Sequence, residues 1–96
     1  RNQFLNATER QAALVLSRSL RLAEKMLQAG ERDAATLLAA MNDCLSQEPL
    51  AVIDYVEIVD TQTLLALPRI EGAALIAMAV RFGKTRLIDN LLWEEN

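Results

Sequence analysis

Apolar residues in the first third of the chain recur at spacings of three and four. Ala13, Leu16, Leu20, Ala23 and Leu27 share one helical face, and Leu22 and Met26 widen it. Asn6 is a suitable N-cap, Glu9 completes a capping-box spacing, and Gly30 supplies the left-handed residue that commonly ends a helix. The pattern predicts a helix over residues 7–29. Asp33 can cap a second helix whose inner stripe is Ala34, Leu38, Met41 and Leu45, with Leu37 and Cys44 beside it. Pro49 lies just past its end, and the residue before a proline resists helical geometry. The turn from Gly30 to Asp33 is short enough to make the two helices an antiparallel hairpin.

The texture changes at Leu50. Residues 52–59 are dense in β-branched side chains and hold Tyr55, which reads as a strand. Asp60, Thr61 and Thr63 suit a capped turn, and Pro68 and Gly72 bracket a second irregular stretch. The alanines of residues 73–82 would tolerate a helix. A period of two, however, puts Ile76, Met78, Val80 and Phe82 on one face between Gly72 and Gly83, and a strand fits this better. Gly83 and Lys84 then turn the chain into a last strand over residues 85–93. The expected fold is α+β: an antiparallel helical hairpin packed on a small, roughly three-stranded antiparallel sheet. Leu14, Leu65 and Leu92 fall outside the core stripes, so they are candidates for an exposed apolar surface through which the domain self-associates weakly.

Composition narrows the classes of function. The 96 residues fit one domain, spanning 1–96, and 52% apolar content argues against disorder. Only four residues are aromatic, so Leu, Ala, Ile and Val must do the packing. Ten basic residues face thirteen acidic ones, and Arg10, Arg18, Arg21 and Lys25 are interleaved with Glu9 and Glu24. Nucleic-acid binding rewards clustered cations, so no nucleic-acid partner is expected. Cys44 has no second cysteine to pair with, which points to a reducing cytoplasm. No apolar run approaches the roughly 18 residues that would cross a bilayer, and no basic-then-apolar leader is visible, so no membrane role is expected. The first residue is Arg1 rather than Met, as in an excised piece of a longer polypeptide.

The chemistry of a complete enzyme is missing. The chain has no histidine, which removes the commonest general base and the commonest metal ligand. With a single cysteine, a zinc site would need carboxylates alone, and none is expected. Gly30, Gly72 and Gly83 are too far apart for a phosphate-cradling loop. Ser17, Ser19 and Ser46 lie on expected helices without a base. Asp54 and Glu57, three apart on a strand, are expected on opposite faces, and Arg86 with Asp89 reads as a structural pair fixing a strand edge. Cys44 reads as a small core residue. No catalytic residues are therefore expected within the chain, which read alone is a soluble α+β accessory domain.

Four stretches carry a resemblance. They are Arg1-Asn2-Gln3-Phe4-Leu5, then Leu27-Gln28-Ala29-Gly30-Glu31-Arg32-Asp33, then Ile53-Asp54-Tyr55-Val56-Glu57-Ile58-Val59-Asp60, and finally Gly83-Lys84-Thr85-Arg86-Leu87-Ile88-Asp89-Asn90. In this order and spacing the chain resembles the carboxy-terminal domain of the pantothenate synthetases, the pantoate–β-alanine ligases. Phe4 stands where a tyrosine is common, which forfeits a hydroxyl but keeps the packing, and Ala7 replaces a proline frequent at the first helical turn, a site where proline is merely tolerated well.

The resemblance implies a lid domain over the nucleotide pocket of an ATP-dependent, AMP-forming ligase of vitamin B5 synthesis. In that family ATP activates pantoate to pantoyl adenylate with release of pyrophosphate. β-Alanine then attacks to give pantothenate and AMP, and magnesium accompanies the ATP. The implied partner is a Rossmann-type amino-terminal nucleotide-binding domain of the same chain, which also makes the homodimer contact. Arg1 matches the arginine of a Ser-Ser-Arg-Asn stretch that works like a KMSKS loop on the ATP phosphates; only Arg1 and Asn2 of it are present. By itself the piece is expected to bind no cofactor and to be inactive. The alternative is a free-standing α+β protein-interaction module without catalysis.

Overall fold

The computed structural model describes residues 7–94. Helix α1 runs Ala7–Gln28 and helix α2 runs Ala34–Ser46. The proposed cap Asn6 and the side chains of Glu9 and Ala13 lie outside what is described. From Val15 onward the inner stripe of α1 is as expected: Leu16, Leu20, Ala23 and Leu27 are buried, with Leu22 and Met26 packed at its edge. Val15 joins them, and so does Ser19, which is fully buried and donates its hydroxyl to the Leu16 carbonyl at 2.9 Å. That bond spares a polar atom the cost of burial without a partner.

The turn between the helices is built by its own side chains. Gly30 has φ of 107°. Its N–H donates to the Leu27 carbonyl and the Glu31 N–H to the Met26 carbonyl, the paired bonds of a Schellman closure. The Arg32 guanidinium donates to the carbonyls of Leu27 at 2.7 Å and Glu31 at 2.8 Å, which places a cation at the negative end of α1. Asp33 caps α2 by accepting from the Thr36 N–H at 3.0 Å and the Thr36 hydroxyl at 2.8 Å. In α2 the buried residues are Ala34, Leu37, Met41, Cys44 and Leu45. Leu37 thus takes the centre of the stripe and Leu38 its half-buried flank, one position from expectation.

Three antiparallel strands follow in spatial order: β1 (Ala51–Val59), β2 (Ala74–Phe82) and β3 (Thr85–Trp93). The strand reading of the alanine-rich segment holds. Ile76, Met78, Val80 and Phe82 are fully buried, because β2 is the central strand and this face meets the helices. A two-residue turn joins β2 to β3, with Gly83 at φ of 61° in its first central position, where a primed hairpin turn favours glycine. The hairpin of helices covers one side of the sheet, α2 along β1 and α1 along β2 and β3. Among the described residues no element is layered on the other side.

Candidate functional site

The alternation of β1 is broken once. Ile53 pairs with Val80 and Tyr55 with Ala79, so Asp54 is an extra residue in the ladder. Such a bulge re-aims side chains, and here it shifts the phase of everything after it. Tyr55 and Glu57 now lie on the outer side, opposite Ala79 and Ala77, while Val56 and Ile58 turn to the core. The expectation that Asp54 and Glu57 occupy opposite faces is therefore corrected: both belong to the outer face.

Asp54 is the hub of a three-strand cluster on that face. Its carboxylate accepts from Arg86 Nε on β3 at 2.8 Å and from Arg81 on β2, through Nε at 3.2 Å and Nη2 at 3.0 Å. Arg81 and Arg86 are direct register partners across the hairpin. The Arg86 guanidinium also lies 6.0 Å from the centre of the Tyr55 ring. The hydrogen bond from Arg86, helped by Arg81, holds the Asp54 carboxyl below the usual range. Two guanidiniums facing one carboxylate leave one net positive charge. Asp89 is not the partner of Arg86. It pairs with Met78 on the inner side, accepts from the Asn90 N–H at 2.9 Å, and is directed away from Arg86 because three residues along an unbulged strand reverse the face.

The cluster is exposed, with 55% and 48% of the two arginine side chains accessible. It can recognise an anion or orient a carboxylate. Its one carboxylate, Asp54, is held ionised by the two guanidiniums and is therefore a poor proton donor. A second concave region lies between the helices, where Arg18, Arg21 and Lys25 of α1 face Asp43 of α2 and Gln47 at its C-cap, over the buried Cys44. On β3, Trp93 lies 5.4 Å from the Arg32 guanidinium, and its Nε1 is buried without a hydrogen-bond partner. Among the described residues no three His, Cys, Asp or Glu side chains come together to hold a metal. Arg1 lies outside the described residues. Arg81 is the participant that the sequence reading missed. Its signal was available, because a two-residue turn at Gly83-Lys84 forces residues 81 and 86 into register.

Residues 1–92 match the family model described as pantoate-beta-alanine ligase. The chain belongs to that family. The pantothenate synthetase of Thermoanaerobacter sp. (strain X514) is 53% identical over 96 residues, covering 100% of this chain and 34% of the relative. That of Heliobacterium modesticaldum is 50% identical over 94 residues, with 98% and 34% covered. The crystal structure of pantothenate synthetase from Thermus thermophilus superposes with a TM-score of 0.86 at 36% identity, covering 94% of this chain and 32% of that one. The chain thus spans about a third of the length of the pantoate–β-alanine ligases it matches.

The motifs that mark the family resemblance have visible structural work here. The Leu27–Asp33 stretch closes α1 and caps α2. The stretch around Asp54 and the one around Arg86 meet in the outer cluster. No helix among the described residues is long and apolar enough to cross a membrane.

Proposed function

We propose that this chain is the lid domain of an ATP-dependent pantoate–β-alanine ligase whose nucleotide-binding part precedes it in the same polypeptide. The observation that carries the reading is the family match over residues 1–92 together with the one-third share of the relatives' length. A domain with no histidine and no nucleotide loop is suited to closing over a pocket rather than to building one.

In the parent reaction the pantoate carboxylate displaces pyrophosphate from the α-phosphate of ATP, giving pantoyl adenylate. The β-alanine amine then attacks the acyl carbon, the C–O bond to AMP breaks, and the amine proton leaves to solvent or base. Arg1 is the residue of this chain assigned to that chemistry. Its planar fork of donors would meet the phosphate oxygens as charge builds on departing pyrophosphate. Magnesium accompanies the ATP, and both are assigned to the nucleotide-binding part of the parent. The parent is read as a cytoplasmic homodimer with its dimer contact on the other domain.

The test is AMP release by the full-length parent supplied with ATP, pantoate and β-alanine. The parent should turn over and the isolated chain should read background; turnover by the isolated chain would sink the lid reading. In the parent, Arg1→Ala should slow single-turnover adenylate formation by about a hundredfold. Arg1→Lys should recover only part of it, since an ammonium lacks the bidentate fork. An unchanged rate would remove Arg1 from the site.

A further inference from the structure

The outer side of the sheet has the relief of a trough. Its floor is the small pair Ala77 and Ala79 on β2, with Tyr55 and Glu57 of β1 on one wall and Ile88, Asn90 and Leu92 of β3 on the other. Ile88 is 60% exposed and Leu92 53%, which is costly for isoleucine and leucine in water. The Arg81–Asp54–Arg86 cluster closes one end of the trough with its net positive charge, and Arg86 spends only its Nε on Asp54, leaving its Nη donors for a second acceptor. The helical side differs: Arg18, Arg21, Lys25 and Asp43 line its outer surface, and these side chains are well solvated where they stand.

We propose that this trough is the surface through which the lid seats on the nucleotide-binding part of the same polypeptide, and that the seat presents apolar side chains to Ile88 and Leu92 and a carboxylate to Arg81 and Arg86. The inference rests on the lid reading above. Two observations choose this occupant over a second copy. The relatives carry about two-thirds of their length outside the matched region, so a covering segment of the right size belongs to the same protein.

Area points the same way. Three strands of nine residues span roughly 30 by 14 Å, or about 400 Å² per side, from standard strand spacings. Two such sides bury about 800 Å², within the usual range for domains joined in one chain and below that of a stable pair of separate molecules. A tether makes such a modest contact sufficient, and leaves it weak enough to open.

The experiment uses the full-length parent carrying Ile88→Cys, alkylated with iodoacetamide and read peptide by peptide by mass spectrometry. Ser17→Cys on the exposed face of α1 reports general accessibility, and each rate is normalised to the same peptide in denaturant. A seat that is closed nine-tenths of the time should slow Ile88→Cys labelling about tenfold, and the slowing should persist on dilution. Adding Arg81→Glu should bring the rate back toward the denatured value while Arg86 still holds Asp54. Labelling of Ile88→Cys near its denatured rate would overturn the proposal. So would slowing that vanishes on dilution, which would mean a second copy covers the trough. Indifference to Arg81→Glu would overturn the carboxylate half of the seat. AMP release by the same parent is scored separately, so turnover with a free trough defeats this inference alone, and a covered trough without turnover defeats only the assignment of function.

Discussion

Adding one methyl group at two glycines should have opposite effects on stability. Gly30 and Gly72 both have open space where a Cβ would stand, with nothing within 4 Å. Contact cannot distinguish them, so the backbone must. Gly30 is held at φ of 107° by the Schellman bonds and by Arg32, which donates to the Leu27 carbonyl. Gly72 lies outside the left-handed region. An L side chain in the left-handed region costs about 1–2 kcal/mol, and loss of glycine's freedom in the unfolded chain returns about 0.4–1 kcal/mol.

Gly30→Ala should therefore destabilise by about 1 kcal/mol, while Gly72→Ala should stabilise by about 0.4–1 kcal/mol. With a urea slope of about 1 kcal/mol/M for a domain of this size, the two midpoints should separate by more than about 1 M. Equilibrium unfolding followed by circular dichroism measures this, with equal slopes required for the comparison. Coincident midpoints would refute the claim that the helical turn is held open by glycine's conformational freedom.

Phe82→Ala removes a fully buried ring at the end of β2 and should cost about 3–5 kcal/mol, a large part of the roughly 5–15 kcal/mol that holds a domain together. A cooperative melt close to that of the parent sequence would contradict this placement. Cys44, 8% exposed, should react slowly with a thiol reagent in the folded chain and rapidly in denaturant; equal rates would put it at the surface. Three aspartates should give the pH profile a slope on the acid side. Thr36 lowers the pKa of Asp33, Arg86 and then Arg81 that of Asp54, and the N–H groups of Thr63 and Gln62 that of Asp60. The folded state then binds these protons later than the unfolded chain. Their contribution to stability should be level above the ordinary aspartate value of about 3.9 and be lost as pH drops through the lower folded values. Urea midpoints from neutral to strongly acid pH would show it, and Asp33→Asn should flatten part of the slope. A midpoint that rises in acid would mean the sign is wrong.

Every element was legible along the chain, because each was written in local terms. Periods of 3.6 and 2, Gly30 at a helix end, Asp33 at a helix start and the Gly83-Lys84 turn each act within a few residues. The strand at residues 74–82 was legible even among its alanines, since burial on one face demands alternation. The exposed positions of Leu14, Leu65 and Leu92, at 56%, 68% and 53%, followed from falling off those stripes.

What spanned separate elements was decided only in three dimensions. The bulge at Asp54 belongs to the pairing of β1 with β2, not to β1, and no period within one strand announces it. It carried Tyr55 and Glu57 onto the outer face, and only the pairing of the three strands set Asp54 beside Arg81 and Arg86, across 27 and 32 residues of chain. Leu37 displaced Leu38 from the stripe centre, and Ser19 entered the core, because the sheet and the neighbouring helix set which degrees of each helical face are covered. The outer trough was equally invisible in the sequence. Its residues alternate as any half-buried strand does, and only the finished layers show that the helices took one side of the sheet and left the other without a layer of its own.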